Sequence, residues 1–382
     1  MLKHRIARSL ISLPLLIAAH VTSAAELPQA IDAAFQSAVS AKTVPGITVA
    51  VADKSGIIAA KGYGFADIEN QVLMSPEHKV RIGSVSKLIA TAAMMRLYDK
   101  GLINLDKPVT DYVTNWPEKH ATLTLRQLAS HTAGIRHYKK GANEFLLNKW
   151  YGDIDSALAM FKDDPLLFEP GTQQQYSTFA WTLVSAAMEG ADPKRNFRQI
   201  IEQEVFAPLK LNDTYFDEQF TLISHRARPY SVDQGRLVNS PQTDHSYKWA
   251  GGGFIATPSD IVKFAVAHTQ GNYLKATTVD EMFTPATLNN GEQVDFGIGW
   301  MTGFKNYQQR EKYQHDTELQ ALMADMPHAV MHSGGSMGGI TMTIMCVDHQ
   351  RAVTVVKNVN GDNSADVFAL ALQTLSYYHQ DH

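Results

Sequence analysis

The chain has 382 residues, of which 45% are hydrophobic and 19% are charged, and its formal net charge at pH 7 is −4. This ordinary globular composition disfavours a disordered chain, a coiled coil and a protein that binds the phosphate backbone of nucleic acids. A chain of this length is too long for one simple core and suits one large domain or two interleaved domains.

The N-terminal segment has the layout of a secretory signal peptide. Basic residues precede an apolar run over residues 10–21, and small residues follow it before Glu26. We predict that residues 1–25 are a signal peptide, cleaved after Ala24 or Ala25, and that the protein is periplasmic or secreted. The alternative is an anchor helix, but the run is short for a membrane span, and no later stretch of the sequence is long and apolar enough to be one.

The next elements are a predicted helix, a predicted hairpin and a long helical block. The run LPQAIDAAFQSAVSAK has helical spacing, and the β-rich runs GITVAVADKSG and IIAAKGYGFAD meet at turn residues 53–56. Residues 85–290 are predicted to be mainly helical. Within them, Thr124 and Thr257 stand at N-cap positions with capping-box spacing.

Strand character returns beyond residue 290. The runs FGIGWMTGF, AVMHSGG, GITMTIMCVD and AVTVVKNVNG follow one another, and the chain ends in the amphipathic SADVFALALQTLSYYHQ. β segments near both ends predict one antiparallel sheet in a discontinuous α/β domain of residues 26–84 plus 291–382, with the active site where it meets the inserted region. The only cysteine, Cys346, excludes an internal disulfide and is predicted to be a buried small hydrophobe.

The sequence GSVSK contains the first candidate for catalysis, Ser84 and Lys87. If a helix begins at Ser84, both side chains lie on one face, since residues three apart are neighbours. A serine at a helix N-terminus has free N–H groups beside it that suit an oxyanion, and burial makes a lysine easier to deprotonate. The alternative is two polar residues on the wet face of a helix, because about one S-x-x-K is expected by chance.

The second candidate is Tyr176 in QYSTFAWTLVSAAME, 92 residues after Ser84. This tyrosine precedes an apolar helix and follows a Pro-Gly turn, so it lies at an element boundary. It is either an ordinary packed residue with a wet hydroxyl or a phenol that relays a proton between a nucleophile and a leaving group.

The third candidate is the glycine-rich segment VMHSGGSMGG at the end of a predicted strand. It contains His332, Ser333, Gly334 and Gly335. Glycines within a strand pattern suggest that another group approaches the backbone closely. The segment is either a turn between strands or a substrate-binding edge whose backbone N–H supplies half of an oxyanion hole.

The order and spacing of these motifs resemble the serine penicillin-recognising superfamily of β-lactamases, penicillin-binding proteins, esterases and peptidases. The class C β-lactamase-like branch is the most similar, and SHTAGIRHY matches its H-T-S-G segment. Within that branch, FKDDPLLFEPGTQQQYSTFAWTLVSAAME and LVNSPQTDHSYKWAGGGFIATPSDIVKFA are most similar to the mitochondrial β-lactamase-like serine protease group and its bacterial relatives, over residues 30–375. The resemblance implies an α+β fold of the β-lactamase/transpeptidase type: an antiparallel sheet flanked by N- and C-terminal helices, with an inserted all-helical region.

The resemblance also implies roles for the candidate residues. Ser84 would be the nucleophile that forms an acyl-enzyme, and Lys87 would help to deprotonate it. Tyr176 would act as a base for Ser84 and as the proton donor to the leaving group. The backbone N–H groups of Ser84 and Gly335 would form the oxyanion hole.

Two departures from the family motifs concern the substrate. Thr178 stands in place of the asparagine of Y-x-N, and His332 stands in place of the lysine of K-T-G, followed by Ser333 and Gly334 beside the substrate. A fixed cation helps to anchor a β-lactam carboxylate, so its replacement by histidine predicts poor antibiotic turnover. The S-D-N motif and a class A glutamate base are missing from the sequence, which disfavours class A chemistry.

The sequence therefore predicts an exported serine hydrolase that acts through an acyl-enzyme on Ser84, with peptidase or amidohydrolase activity first. The alternatives are an esterase or weak class C-like β-lactamase with the same site, and a catalytically silent penicillin-binding-like binding protein. The expected partner is a small-molecule or peptide substrate, not nucleic acid. No metal or cofactor is expected, since His131 and His137 have no common zinc spacing and His131 is predicted to be structural.

Overall fold

The computed structural model describes residues 26–40, 43–361 and 365–380, so the predicted signal peptide lies outside the described residues. The strands in the described part are β1 Gly46–Asp53, β2 Gly56–Asp67, β3 Val72–Leu73, β4 Val80–Arg81, β5 Thr214–Phe216, β6 Tyr230–Asp233, β7 Arg236–Asn239, β8 Phe254–Ala256, β9 Met301–Thr302, β10 Ala329–Ser336, β11 Gly339–Cys346, β12 Arg351–Lys357 and β13 Val359–Asn360. The α-helices there are α1 Gln29–Ser40, α2 Ser86–Asp99, α3 Leu125–Ala129, α4 Ile154–Leu158, α5 Phe179–Ala191, α6 Phe197–Ile201, α7 Ala207–Leu209, α8 Pro258–Ala267, α9 Ala276–Phe283, α10 Lys305–Gln308, α11 Thr317–Ala324 and α12 Val367–Gln380.

The large sheet of the described chain has seven strands in the order β3-β2-β1-β12-β11-β10-β9. Every pairing in it is antiparallel, including β1 against β12, which joins the N-terminal strands to the C-terminal ones. The sheet is therefore built from both ends of the chain, as the pattern of β runs predicted.

Alternate residues of β1 face opposite sides of the large sheet, as strand geometry requires. Ile47, Val49 and Val51 pack with α1 and α12, whereas Ala50 and Ala52 face the other side, where α8 lies. The alanines allow α8 to lie close to the strand. Burial of each larger side chain contributes about 1.5–3 kcal/mol, so helices on both faces stabilise the sheet.

Helices are the most frequent regular elements of the inserted region between the two β segments, but strands and long loops occur in it as well. Four short strands, β5 to β8, occur in it, and with β4 and β13 they form two three-stranded sheets in the described part. The prediction of an all-helical insertion is wrong in this detail, because runs of three or four residues are too short to show a strand period in the sequence.

A second difference concerns the run FGIGWMTGF, which forms a strand only at Met301–Thr302. Gly299 has a φ of +78°, which interrupts a strand, and a Cβ at Gly297 would lie 2.2 Å from the carbonyl oxygen of Met282. The glycines of this run therefore serve a tight turn against a helix.

Two predicted helix starts are confirmed. Thr124 forms a capping box with Gln127, and the Thr257 side chain accepts a hydrogen bond from the backbone N–H of Asp260. A third helix start, a 3₁₀ turn over Gly83–Val85, leads directly into α2. No helix among residues 26–40, 43–361 and 365–380 is long and apolar enough to cross a membrane.

Candidate active site

Ser84 and Lys87 lie together at the start of α2, with Lys87 Nζ 2.9 Å from Ser84 Oγ. The α2 helix is buried on most of its surface, and Lys87 is 0% exposed. Burial in this dry interior, and next the positive charge of Lys248, lower the pKa of Lys87 well below its ordinary value of 10.5. The lysine beside the serine is therefore an amine that gives up its proton easily.

Lys87 Nζ lies within hydrogen-bond distance of three oxygen atoms. Besides Ser84 Oγ, it lies 2.6 Å from the carbonyl oxygen of Gly251 and 3.4 Å from Thr178 Oγ1. As an ammonium, Lys87 donates to all three oxygens. Once it has lost a proton, its lone pair can accept the hydroxyl proton of Ser84.

Tyr176 completes the group around the serine. Burial raises the pKa of Tyr176 above its ordinary value of 10, and the neighbouring hydroxyls of Ser84 and Thr178 partly oppose this. Its ring centroid lies 5.0 Å from Lys87 Nζ. At neutral pH Tyr176 is thus a protonated phenol beside the serine, able to pass a proton.

Two histidines hold the Tyr176 segment in place. His131 Nδ1 accepts the backbone N–H of Ser177 at 3.2 Å, and its carbonyl oxygen accepts the N–H of Gln175 at 2.9 Å. His137 Nδ1 accepts the N–H of Thr178 at 3.2 Å. The hydrogen bonds of His131 agree with its predicted role of positioning a loop, and the sequence gave no sign of the contact made by His137. Both residues also line the cleft.

The end of β10 lies against the turn that carries the serine. A Cβ at Gly83 would lie 2.6 Å from Gly335 N, and one at Gly334 would lie 1.9 Å from Ile82 O and 3.1 Å from Ser84 N. Only glycine permits this approach. Gly334 thus faces the turn rather than the cleft, whereas Gly335 is exposed to the cleft near the backbone of Ser84.

His332 lies in the cleft wall and is 3% exposed. Its Nδ1 lies 2.6 Å from the carbonyl oxygen of Ser333, which can only accept, so the proton is on Nδ1. Its Nε2 is buried without a hydrogen-bond partner among the described residues. Burial, and next the charge of Lys87, lower the pKa of His332 to about 3. This residue is therefore a neutral acceptor, not a substitute for a cation.

These residues border a cleft of about 680 Å³. Of the predicted site residues, its walls contain Ser84, Tyr176, Thr178, His332, Ser333 and Gly335. Lys87 contacts Ser84 from the buried side, and Gly334 is packed behind the wall. The cleft also contains residues that sequence reasoning did not select, including Tyr138, Phe145, Lys248, Phe296 and Arg310.

Lys248 is the most notable of these additional residues. It is 2% exposed, with its Nζ 4.4 Å from the Phe145 ring centroid and 5.5 Å from that of Tyr247. Burial, and next the charge of Arg81, lower the pKa of Lys248 to about 7. A lone lysine in SYKWAGG belongs to no local motif, so only the fold reveals that it faces the cleft.

Two solved structures illustrate the similarity of the fold. The octameric penicillin-binding protein homologue from Pyrococcus abyssi has a TM-score of 0.74, at 21% identity over 92% of this chain and 77% of that chain. D-amino acid amidase from Ochrobactrum anthropi SV3, complexed with L-phenylalanine, has a TM-score of 0.73, at 19% identity over 92% of this chain and 97% of that chain. The β-lactamase/transpeptidase-like fold is thereby confirmed.

The sequence comparisons show the family. A family model described as Beta-lactamase matches residues 31–377, and the chain belongs to this family of serine hydrolases. The serine beta-lactamase-like protein LACTB, mitochondrial, of Homo sapiens is 29% identical over 82% of this chain and 71% of its own length. Penicillin-binding protein 4* of Bacillus subtilis (strain 168) is 23% identical over 82% of this chain and 68% of its own length. The resemblance inferred from the motifs is confirmed.

Proposed function

We propose that this protein is an exported serine hydrolase that forms an acyl-enzyme on Ser84 and hydrolyses a peptide or amide bond. The observation that carries the proposal is the contact of 2.9 Å between Ser84 Oγ and the fully buried amine of Lys87. A nucleophile beside an activated base is the arrangement that covalent catalysis needs. No metal or cofactor enters the proposed reaction.

Each group of the site has a role in acylation. Ser84 Oγ attacks the substrate carbonyl carbon while its proton passes to the lone pair of Lys87. The N–H groups of Ser84 and Gly335 hold the oxyanion of the tetrahedral intermediate. When the carbon–nitrogen bond breaks, Tyr176 gives its proton to the leaving amine and regains one from Lys87, which returns to the neutral form.

Deacylation uses the same groups in the reverse direction. A water molecule attacks the ester carbonyl, and its proton passes through Tyr176 to Lys87. Ser84 Oγ leaves as the carbon–oxygen bond breaks and takes the proton from Lys87. The products are a carboxylic acid and the free enzyme, so the cycle is balanced without a further reactant.

The cleft wall favours an amide or peptide over a β-lactam. With its proton on Nδ1 and a lowered pKa, His332 is neutral and offers no cation to a β-lactam carboxylate. A D-amino acid amidase is among the solved structures with a similar fold, which agrees with the proposal of an amide substrate. An esterase or a weak β-lactamase would use the same groups and remains the second candidate.

Intact-mass labelling tests the proposal. The wild-type protein and Ser84→Ala are treated with a fluorophosphonate and with a penicillin. We expect a fluorophosphonate adduct of the wild type that is lost in the variant, with a much slower penicillin adduct. Rapid stable labelling by penicillin would favour a penicillin-binding protein or β-lactamase. No adduct from either reagent would overturn the nucleophile and favour a silent binding protein.

Export is supported by the basic, apolar and small-residue order of residues 1–25. The human relative is mitochondrial by its name, so the location of this chain requires its own measurement. Fractionation with N-terminal sequencing should give a mature protein that starts near Glu26 outside the cytoplasm. An uncleaved chain in the cytoplasmic fraction would overturn export and leave the hydrolase proposal intact.

A further inference from the structure

Three potential metal ligands meet at a point outside the cleft. Cys346 ends β11, His349 lies in the turn before β12, and His379 lies in the last turn of α12. Cys346 Sγ is 3.3 Å from His349 Nδ1 and 3.8 Å from His379 Nδ1. A ligand atom from each residue lies within 4.8 Å of those from the other two.

These distances match a tetrahedral zinc site. With Zn–S of about 2.3 Å and Zn–N of about 2.0–2.1 Å, tetrahedral angles place the sulfur and each nitrogen about 3.6 Å apart. The two sulfur–nitrogen distances lie on either side of that value. Thiolate and imidazole are also the donors that zinc prefers in proteins.

Hydrogen bonding alone explains the cluster less well. A thiol has one proton, so Cys346 can donate to only one of the two rings, and the other contact must then be a weak N–H···S bond. The rings of His349 and His379 also lie close, with centroids 3.9 Å apart. One ion bound to all three atoms accounts for the convergence of both rings on the sulfur.

We propose that Cys346, His349 and His379 form a zinc site that ties the end of α12 to the turn between β11 and β12. Three protein ligands leave a fourth position for water, on the side where His349 is exposed. On binding, the thiol of Cys346 releases its proton to solvent and the sulfur bonds to the metal without any change in oxidation state.

The site has a structural role in this proposal. The α12 helix packs on β11 and β12 and covers one face of the large sheet. Zinc would hold the end of this helix to the strand it covers, so its binding should stabilise the folded protein and leave Ser84 acylation unchanged. The inference is thus independent of the proposed hydrolase function.

Cobalt titration of the purified protein, without a polyhistidine tag, tests the site. Because Cys346 is the only cysteine in the chain, a thiolate-to-cobalt charge-transfer band reports this residue alone. We expect one equivalent of Co²⁺ to produce the band, Zn²⁺ to displace it, and Zn²⁺ to raise the thermal unfolding midpoint.

Three variants decide between the site and adventitious binding. His349→Ala and His379→Ala should lose the band and the zinc-dependent shift in midpoint, whereas His315→Ala, an exposed histidine elsewhere, should keep both. His349 is exposed, so its variant is expected to fold, and its circular dichroism spectrum checks this. No cobalt band in the wild type, or a band retained in both ligand variants, would overturn the proposal.

Discussion

Lys87 combines deep burial with direct contact to Ser84, and this sets the pH dependence that the activity should have. As the base, Lys87 must be unprotonated, and its pKa is held well below 10.5 by burial and then by Lys248. We expect kcat/KM to fall as pH decreases through that lowered pKa and to show no rise near 10.5. Lys87→Arg stays protonated and should lose about 10²–10⁴-fold in acylation rate.

Variants of Lys248 provide the matched control for this pH profile. Removing its charge in Lys248→Met should raise the pKa of Lys87 and move the acid limb to higher pH, whereas Lys248→Arg should keep the limb in place. The measurement is the fluorophosphonate acylation rate from about pH 4 to about pH 11.5, a range that includes the ordinary lysine pKa. An acid limb unchanged in Lys248→Met, or a rise near pH 10.5 in the wild type, would contradict Lys87 as the neutral base.

The charge of residue 332 should determine how fast Ser84 reacts with a penicillin relative to a fluorophosphonate. A lysine at this position restores a cation, so His332→Lys should raise penicillin acylation of Ser84, relative to fluorophosphonate, by about tenfold. His332→Gln keeps a neutral acceptor and should leave the ratio near that of the wild type. A ratio that rises equally in both variants would show that space, not charge, limits the penicillin.

A site residue could be predicted from the sequence only where it belongs to a short motif with a recognisable spacing. Ser84, Lys87 and Tyr176 stand at recognisable spacings, and the structure brings them together. Lys248 is separated from Ser84 by 164 positions and reaches the cleft only through the packing of the inserted region. The sequence carries no signal for the contact of His137 with Thr178, because this contact depends on how two segments distant in sequence meet.

At the scale of elements, the end of β10 and the turn before α2 pack against each other backbone to backbone. An alanine at Gly334 would collide with the backbone of Ile82, but at Gly335 the nearest atom, Ile340 Cδ1, is 3.8 Å away. We expect Gly334→Ala to lose about 1–3 kcal/mol of stability and most of its acylation rate. Gly335→Ala keeps its backbone N–H and should retain both.

These two glycine variants are measured by chemical unfolding and by fluorophosphonate labelling. They differ by one position in the same strand, so the comparison separates the close approach from a general effect of alanine. Normal labelling in Gly334→Ala would show that the strand end need not touch the turn. Loss of labelling in a stable Gly335→Ala would mean that its Cβ, rather than its N–H, matters.

Helices that begin with a recognisable N-cap residue could be predicted from the sequence. Features that depend on contacts between residues distant in sequence could not. The caps at Thr124 and Thr257 satisfy free N–H groups within one turn, so a few residues determine them. Cys346 was predicted to be buried, and it is 1% exposed. Its approach to His379, 33 residues later, depends on where α12 crosses the sheet, which the sequence pattern does not give.

At the scale of the whole molecule, buried histidines should control stability in mild acid. Burial is the first cause of a lowered pKa at His131, His137, His245, His268 and His332. Each stays neutral in the folded protein but takes up a proton on unfolding below its ordinary pKa of 6.5. Because the unfolded chain then binds more protons, the free energy of unfolding should fall as pH decreases below about 6.5.

His268 does not line the cleft, so a variant of this residue tests the proton uptake on unfolding without changing the active site. It is 2% exposed, its Nδ1 donates to the carbonyl oxygen of Phe264 at 3.0 Å, and burial lowers its pKa to about 4. Since the folded pKa lies below 6.5, its contribution is complete above pH 6.5 and is lost as pH falls toward 4. A shift of this size corresponds to about 3 kcal/mol.

We expect His268→Gln, which can still donate to Phe264, to take up about one proton fewer on unfolding near pH 5. The measurement is the slope of the free energy of unfolding against pH from 4 to 7, for the wild type and the variant. Equal slopes in the wild type and His268→Gln would mean that His268 is already protonated in the folded protein, and its burial would then have to be balanced by a negative charge.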